Sequence, residues 1–468
     1  MAAEAGDTPQ HRTPPARCSF PGWQDADMGE DFAARSGGGD RDRRDPIMRL
    51  RDAMAARSAA GLKRTLHARS PDHDGLLDLA SNDYLGLSRD RRLVEGALLA
   101  TRMWGTGATG SRLVSGTTRL HTALETALAR FADAPAALVF SSGYLANLSA
   151  VAALAAALGS GQRGPGRGDE PNGTAAPTGP ASSRGMASAR VLVISDAANH
   201  ASLIDACRLS HARIAVTPHG DVAAAASALA SRSEDAAIVA TDAVFSVNGD
   251  LAPLAGLHRA ARAHGALLIV DEAHAFGVVG SDGRGGVHAA GLAGEPDVVR
   301  TVTLSKALGT QGGAVLGATE VIDTLIDTGR SFIFDTGLAP ACAGAAQAAL
   351  DVLVACPGLA VRTRERARRL ADIAAGLGFE TTRPDAAVVS VTLGPPAAAL
   401  AAQRLCADHG VKVACFRPPS VPDGRSCLRL AARPGLTDAD LDTARRALTA
   451  VRTHVPQAAA AAEGGDRP

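Results

Sequence analysis

Aromatic side chains are scarce in this sequence, at 3% of its 468 residues, with 2 Trp and 2 Tyr among them. Its core must therefore be built from Ala, Val and Leu, and a platform of stacked rings for single-stranded nucleic acid is excluded. Net charge is lacking too: 48 basic residues balance 48 acidic ones, so there is no basic footprint for a nucleic-acid partner. The 7 cysteines form no CxxC pair and no metal-ligand spacing, and they read as reduced thiols. No uninterrupted apolar run reaches the length of a bilayer span. The first residues carry acids, prolines and glycines where a secretory leader would be basic and then apolar. The expectation is a cytoplasmic protein with no metal, no nucleic acid and no membrane partner.

What is present is an alternation of strand-like and helix-like runs. The strand-like runs are 137–140, 191–194, 213–216, 237–240, 267–270, 298–304 and 313–316, and helical stretches such as 118–132 and 258–264 separate several of them. That order predicts an α/β fold with a mostly parallel, doubly wound sheet and helices on both faces. After about residue 340 long Ala/Leu/Arg helices are followed by short strands at 387–391 and 426–430, and a last helix spans 438–454. The predicted organisation is a disordered extension over 1–45, a helical and short-strand segment over 46–100 and a large cofactor domain over 101–338. A low-complexity insertion over 159–189 interrupts that domain. A smaller C-terminal α+β domain over 339–456 and a disordered tail over 457–468 complete it.

Polar residues that a core would not choose stand at the ends of four of these strands. Lys306 lies in Thr-Val-Thr-Leu-Ser-Lys-Ala-Leu-Gly, between a β-rich run and Gly309, Gly312 and Gly313. Burial there lowers an ammonium pKa from about 10.4 and frees the amine to form a Schiff base with a carbonyl compound such as pyridoxal phosphate. Gly143, in Phe-Ser-Ser-Gly-Tyr, precedes a helix whose free N–H groups suit a phosphate, and Tyr144 beside it can stack or hydrogen-bond. Asp271 ends a run of five apolar residues, with His274 three positions on; a carboxylate there can pair with a protonated pyridine nitrogen. The same Asp-Glu-Ala-His string occurs in helicases, but the GxxxxGK[ST] phosphate loop that this reading needs is absent. His200 follows the strand 191–194 and can lie over a planar cofactor, while Thr303 and Ser305 offer hydroxyls to a phosphate.

The chain resembles the α-oxoamine synthases, pyridoxal-phosphate enzymes of fold type I. The likeness rests on Ala-Ser-Asn-Asp-Tyr-Leu-Gly-Leu at 80–87, Gly-Ala-Thr-Gly-Ser-Arg-Leu-Val-Ser-Gly at 107–116, Phe-Ser-Ser-Gly-Tyr at 140–144 and Asn-His-Ala-Ser at 199–202. Val-Phe-Ser-Val-Asn-Gly at 244–249, Asp-Glu-Ala-His at 271–274 and the Lys306 stretch complete it. The resemblance implies Lys306 as the cofactor lysine, Asp271 on the pyridine nitrogen, His274 on the ring hydroxyl and His200 stacked on the ring. It has Gly143 and Tyr144 meeting the cofactor, and Ser246 and Thr303 holding its ring oxygen or phosphate. It also implies Arg429 as the clamp for the amino-acid carboxylate, with Arg417 as a fallback, Ser420 near the substrate, and Lys63 or Arg64 toward the acyl group. The reaction it implies is a decarboxylative condensation of L-alanine with a pimeloyl thioester, on CoA or on acyl carrier protein, in a homodimer. Glycine with acetyl-CoA, or a non-catalytic scaffolding subunit, are the alternatives; the presence of Lys306 argues against the latter.

Overall fold

The computed structural model describes residues 45–66, 68, 70, 75–160, 190–421 and 424–455. The expected disordered arm and tail and nearly all of the 159–189 insertion lie outside the described residues. Three residues fall differently from expectation. Asp45 caps a helix, accepting from the Ile47 N–H at 2.9 Å, and Gly159 and Ser160 belong to the last turn of the helix Gly143–Ser160.

The chain divides into two compact units between Lys63 and Arg64. The first holds the helix Pro46–Ala59, opened by proline at its first position, with no buried residue of its own. The second holds the three sheets of the described residues. Its main sheet comprises β2 (Ala136–Phe140), β3 (Val191–Asp196), β4 (Arg213–Thr217), β5 (Ala236–Asp242), β6 (Leu267–Asp271), β7 (Val298–Thr303) and β8 (Gly313–Gly317), in the order β2-β8-β7-β6-β5-β3-β4. Every neighbouring pair from β4 to β7 is parallel, and β8 runs antiparallel to both β7 and β2. The carboxyl ends of β2, β3, β5, β6 and β7 therefore share one edge of the sheet, where open α/β sheets bind ligands.

Strands covered on both faces read as near-continuous apolar runs, and the inner strands do so over most of their length. Val191, Val193, Ile238 and Ile269 pack with Ala146, Ala150, Val151 and Leu154 of the helix Gly143–Ser160 on one face. Leu192, Ile194, Val239, Leu268 and Val270 pack into the larger cluster on the other. The helix Gly143–Ser160 is the one described helix long and apolar enough to cross a membrane, and half of it is buried in this packing.

A second sheet orders β11 (Ala414–Phe416), β12 (Ser426–Ala431) and β9 (Val388–Gly394), all antiparallel, over its own core. Near it, β1 (Leu77–Asp78) pairs in parallel with β10 (Val411–Lys412). The compact-unit boundary at Lys63 falls inside the expected 46–100 segment, and β1 pairs with a strand from the C-terminal part of the chain. Six of the cysteines are described, and all six are free thiols.

Candidate active site

Lys306 follows β7 in a turn that Gly309 closes at φ 64°, a left-handed conformation that glycine adopts without strain. Its Nζ lies 2.9 Å from Nε2 of His274, beyond the end of the neighbouring β6. Burial is the main cause that brings the ammonium pKa down to about 8, and Arg429 adds to it while Asp271 and Asp242 oppose it. The side chain stays partly open to solvent, as an amine that must meet a ligand requires. His274 is 5% exposed, and burial, followed by the charge of Lys306, pushes its pKa well below the ordinary range, so it is a neutral imidazole.

Asp271 is buried at the end of β6. Its oxygens accept from Asn147 Nδ2 at 2.7 Å and from the Ala273 N–H at 2.8 Å, both neutral donors. Asn147 is held in turn: its Oδ1 accepts from the Thr301 hydroxyl at 2.6 Å, and its amide also donates to Ser202. Asp271 has no salt-bridge partner among the described residues. A buried carboxylate fixed by neutral donors calls for a cation such as a protonated ring nitrogen.

His200 caps the helix Ala201–Leu209, its Nδ1 contacting Ser202 Oγ at 2.7 Å. Its ring is partly open, and the protein packed around the rest lowers its pKa by desolvation. The backbone of His200 is anchored by Asp242 at the end of β5, whose Oδ2 accepts the His200 N–H at 3.2 Å. Asp242 stands beside Asp271 in the strand register, and its Oδ1 is buried without a hydrogen-bond partner. Burial, then repulsion by Asp271, raises its pKa well above the ordinary carboxylate range.

At the end of β2 the helix Gly143–Ser160 begins against β7. A Cβ on Gly143 would come within 3.1 Å of Thr303 Cβ, so the absent side chain lets the helix start this close to the Thr303 hydroxyl without crowding it. Thr303 Oγ1 and Ser305 Oγ are 2.7 Å apart. Free helix N–H groups beside two hydroxyls make a seat of phosphate chemistry. Tyr144, the next residue, is exposed, and its hydroxyl donates to Asp205 at 2.5 Å.

Arg429 on β12 is 5% exposed. Its Nη1 donates to the Ser246 carbonyl at 3.0 Å and its Nη2 to Asn82 Oδ1 at 2.7 Å, and its guanidinium lies over the Phe416 ring. Its Nε is buried without a partner, so the fork keeps donors to spare for a carboxylate. Ser246 contributes its carbonyl here. Ser420, Lys63 and Arg64 are exposed.

Sequence reasoning missed Asn82, Tyr84, Asn147 and Asp242. Tyr84 is fully buried, and its hydroxyl lies 2.6 Å from Nδ1 of His274. A lone tyrosine in a polar turn of so aromatic-poor a chain was the available signal.

A lysine amine, a ring-nitrogen acid, a phosphate seat and a carboxylate clamp on one edge of an α/β sheet define a pyridoxal-phosphate enzyme, and the residues present fit that cofactor. The chain matches the model of the Aminotransferase class I and II family over residues 74–161 and 181–448. It is 55% identical over 411 residues to the 8-amino-7-oxononanoate synthase of Mycobacterium sp. (strain JLS), covering 87% of this chain and 97% of that one. Among solved structures, SPT with PLP internal aldimine is similar at a TM-score of 0.76 and 28% identity, over 88% of this chain and 99% of that one. The 8-amino-7-oxononanoate synthase of Francisella tularensis shares the fold, with a TM-score of 0.65, 23% identity and coverage of 82% and 98%. The chain belongs to the class I and II aminotransferase family and, within it, to the 8-amino-7-oxononanoate synthases.

Proposed function

We propose that this enzyme condenses L-alanine with a pimeloyl thioester, carried by CoA or by acyl carrier protein, giving 8-amino-7-oxononanoate, CO₂ and the free thiol for biotin synthesis. The observation that carries the proposal is the pairing of a low-pKa lysine with a buried arginine whose Nε is unpartnered. When bound, pyridoxal phosphate supplies an electron sink for the amino-acid carbanion. Lys306 would hold the cofactor and, once released, take up the Cα proton. Asp271 would keep the hydrogen on the ring nitrogen, His274 would meet the ring hydroxyl, and His200 would cover the ring. Gly143, Tyr144, Thr303 and Ser246 would line the phosphate or ring-oxygen side. Arg429 would grip the alanine carboxylate through its free edge until CO₂ leaves, with Ser420 at the substrate's side and Lys63 or Arg64 toward the acyl group.

A cytoplasmic homodimer is part of the same proposal. The helix Arg91–Trp104 supports it by presenting Val94, Leu98, Leu99 and Met103 to solvent, and Leu113 and Val114 are exposed as well. Apolar surface of that extent marks an interface, and a second copy of the chain is the occupant we propose. The function is tested by titrating the cofactor absorbance with L-alanine, glycine and L-serine, then assaying turnover. Product from L-alanine with pimeloyl-CoA or pimeloyl-acyl carrier protein supports the reading, and turnover of glycine with acetyl-CoA in its place overturns it.

A further inference from the structure

One hydrogen-bonded chain crosses the site from the arginine to the lysine. Arg429 Nη2 donates to Asn82 Oδ1 at 2.7 Å, and the Tyr84 hydroxyl contacts the same Oδ1 at 3.1 Å. The hydroxyl also contacts His274 Nδ1 at 2.6 Å, and His274 Nε2 meets Lys306 Nζ at 2.9 Å. A guanidinium only donates, so the oxygen of the Asn82 amide must face Arg429. With Lys306 as an ammonium, Nε2 must accept, so the ring hydrogen of the neutral His274 sits on Nδ1 and is donated to the Tyr84 oxygen. The hydrogen of Tyr84 then goes to Asn82 Oδ1, and every contact in the chain is satisfied.

The elements around Tyr84 hold it still. Asp83 accepts from the N–H groups of Leu87 at 2.8 Å and Ser88 at 3.0 Å, and the Thr363 hydroxyl shares its hydrogen between the Leu359 carbonyl at 2.9 Å and the Tyr84 carbonyl at 3.3 Å. Burial pushes the phenol pKa up to about 12, against the pull of Arg429, so the hydroxyl keeps its hydrogen through the working pH range. A phenol can serve either tautomer of His274, as acceptor or as donor, whereas phenylalanine of nearly the same shape can serve neither.

We propose that Tyr84 is a positioning residue of this site: its hydroxyl sets His274 against Lys306 and ties that pair to the arginine that receives the substrate carboxylate. The inference rests on Lys306 as the cofactor lysine. A side chain used only to fill space would lose little on deletion of one oxygen; this one would leave the buried imidazole Nδ1 of His274 without its partner and the Asn82 amide oxygen with Arg429 alone.

The test compares wild type, Tyr84→Phe and Thr363→Val as full-length, cofactor-loaded enzymes. Thr363→Val removes a bond to the Tyr84 backbone while sparing its hydroxyl, and serves as the structural control. Three readouts are taken: melting temperature, the pH midpoint of the cofactor absorbance change, and KM and kcat for L-alanine. Tyr84→Phe is expected to stay folded and coloured, to move the absorbance midpoint by about half a pH unit or more, and to lower kcat/KM by about tenfold or more, the scale of one buried hydrogen bond beside a charge. Thr363→Val is expected to lower the melting temperature without moving the midpoint. A Tyr84→Phe enzyme with unchanged midpoint and kinetics overturns the proposal. If wild type shows no Lys306-dependent absorbance, the cofactor assignment itself fails, a different outcome from loss of the Tyr84 effect alone.

Discussion

Lys306 Nζ lies 2.9 Å from Nε2 of His274, so the amine meets a neutral acceptor where a carboxylate would have held it charged. That relationship governs how the site responds to pH. The folded pKa of about 8 lies below the ordinary lysine value of 10.5. Between these two values the unfolded chain binds the extra proton and the folded protein does not, so cofactor-free stability rises with pH across that window. Chemical denaturation at pH 8 and at pH 10 should show the rise in wild type and its loss in Lys306→Met. The rate of cofactor uptake should climb about tenfold per pH unit below 8 and level off above it, as the free amine becomes the majority form.

Asp242 predicts the opposite slope. Its folded pKa is raised by burial and by Asp271, so the stability tied to its proton is present at low pH and is lost as pH rises through the raised value. Asp242→Asn keeps a neutral group of the same shape and still offers an oxygen to the His200 N–H. The variant should match wild type at acid pH, where the carboxyl is protonated in both states, and gain on it as pH rises from the ordinary carboxylate value of 3.8 toward the raised one; denaturation curves across pH read this directly.

Arg429→Lys keeps the charge but loses the fork. A lysine cannot contact the Ser246 carbonyl, Asn82 and a substrate carboxylate in the same planar geometry. The KM for L-alanine should rise by about tenfold or more, the cost of roughly 1.5 kcal/mol in a charge-assisted contact, while the absorbance of the resting cofactor stays unchanged. Steady-state kinetics beside an absorbance spectrum separates the two.

Asn147→Ala removes the donor at 2.7 Å from Asp271 Oδ2 and leaves the Thr301 hydroxyl facing a cavity. Losing a buried hydrogen bond to a carboxylate costs about 1.5–3 kcal/mol, so cofactor affinity should fall by about tenfold to a hundredfold. Equilibrium titration of the cofactor-free protein measures it.

Much of this architecture could be read from the chain before its coordinates. All seven strands of the main sheet coincide with β-branched or apolar runs, because the inner strands are covered on both faces and mostly apolar residues suit that burial. Lys306, Asp271, Gly143 and His200 stood out as polar or flexible residues at the ends of those runs. Tyr84 did not, because its partner His274 is 190 residues away and no local pattern encodes that contact. Asn147 sits one turn into an apolar helix and looked like an ordinary helical residue; its meaning appears only when Asp271 arrives beside it. Asp242 was hidden for the same reason, since its register with Asp271 depends on which strands pair. The strand Leu77–Asp78 was not legible because two residues carry no period, and its pairing with Val411–Lys412 is set by tertiary packing.

The central claim is that these strand ends converge on Lys306 as the residue that binds the cofactor covalently. Borohydride reduction of the yellow holoenzyme, followed by proteolysis and mass spectrometry, tests it most directly. The account predicts a pyridoxyl-phosphate mass on the peptide containing Lys306 and no such adduct in Lys306→Ala. An adduct on another lysine, or one that persists in Lys306→Ala, would contradict it.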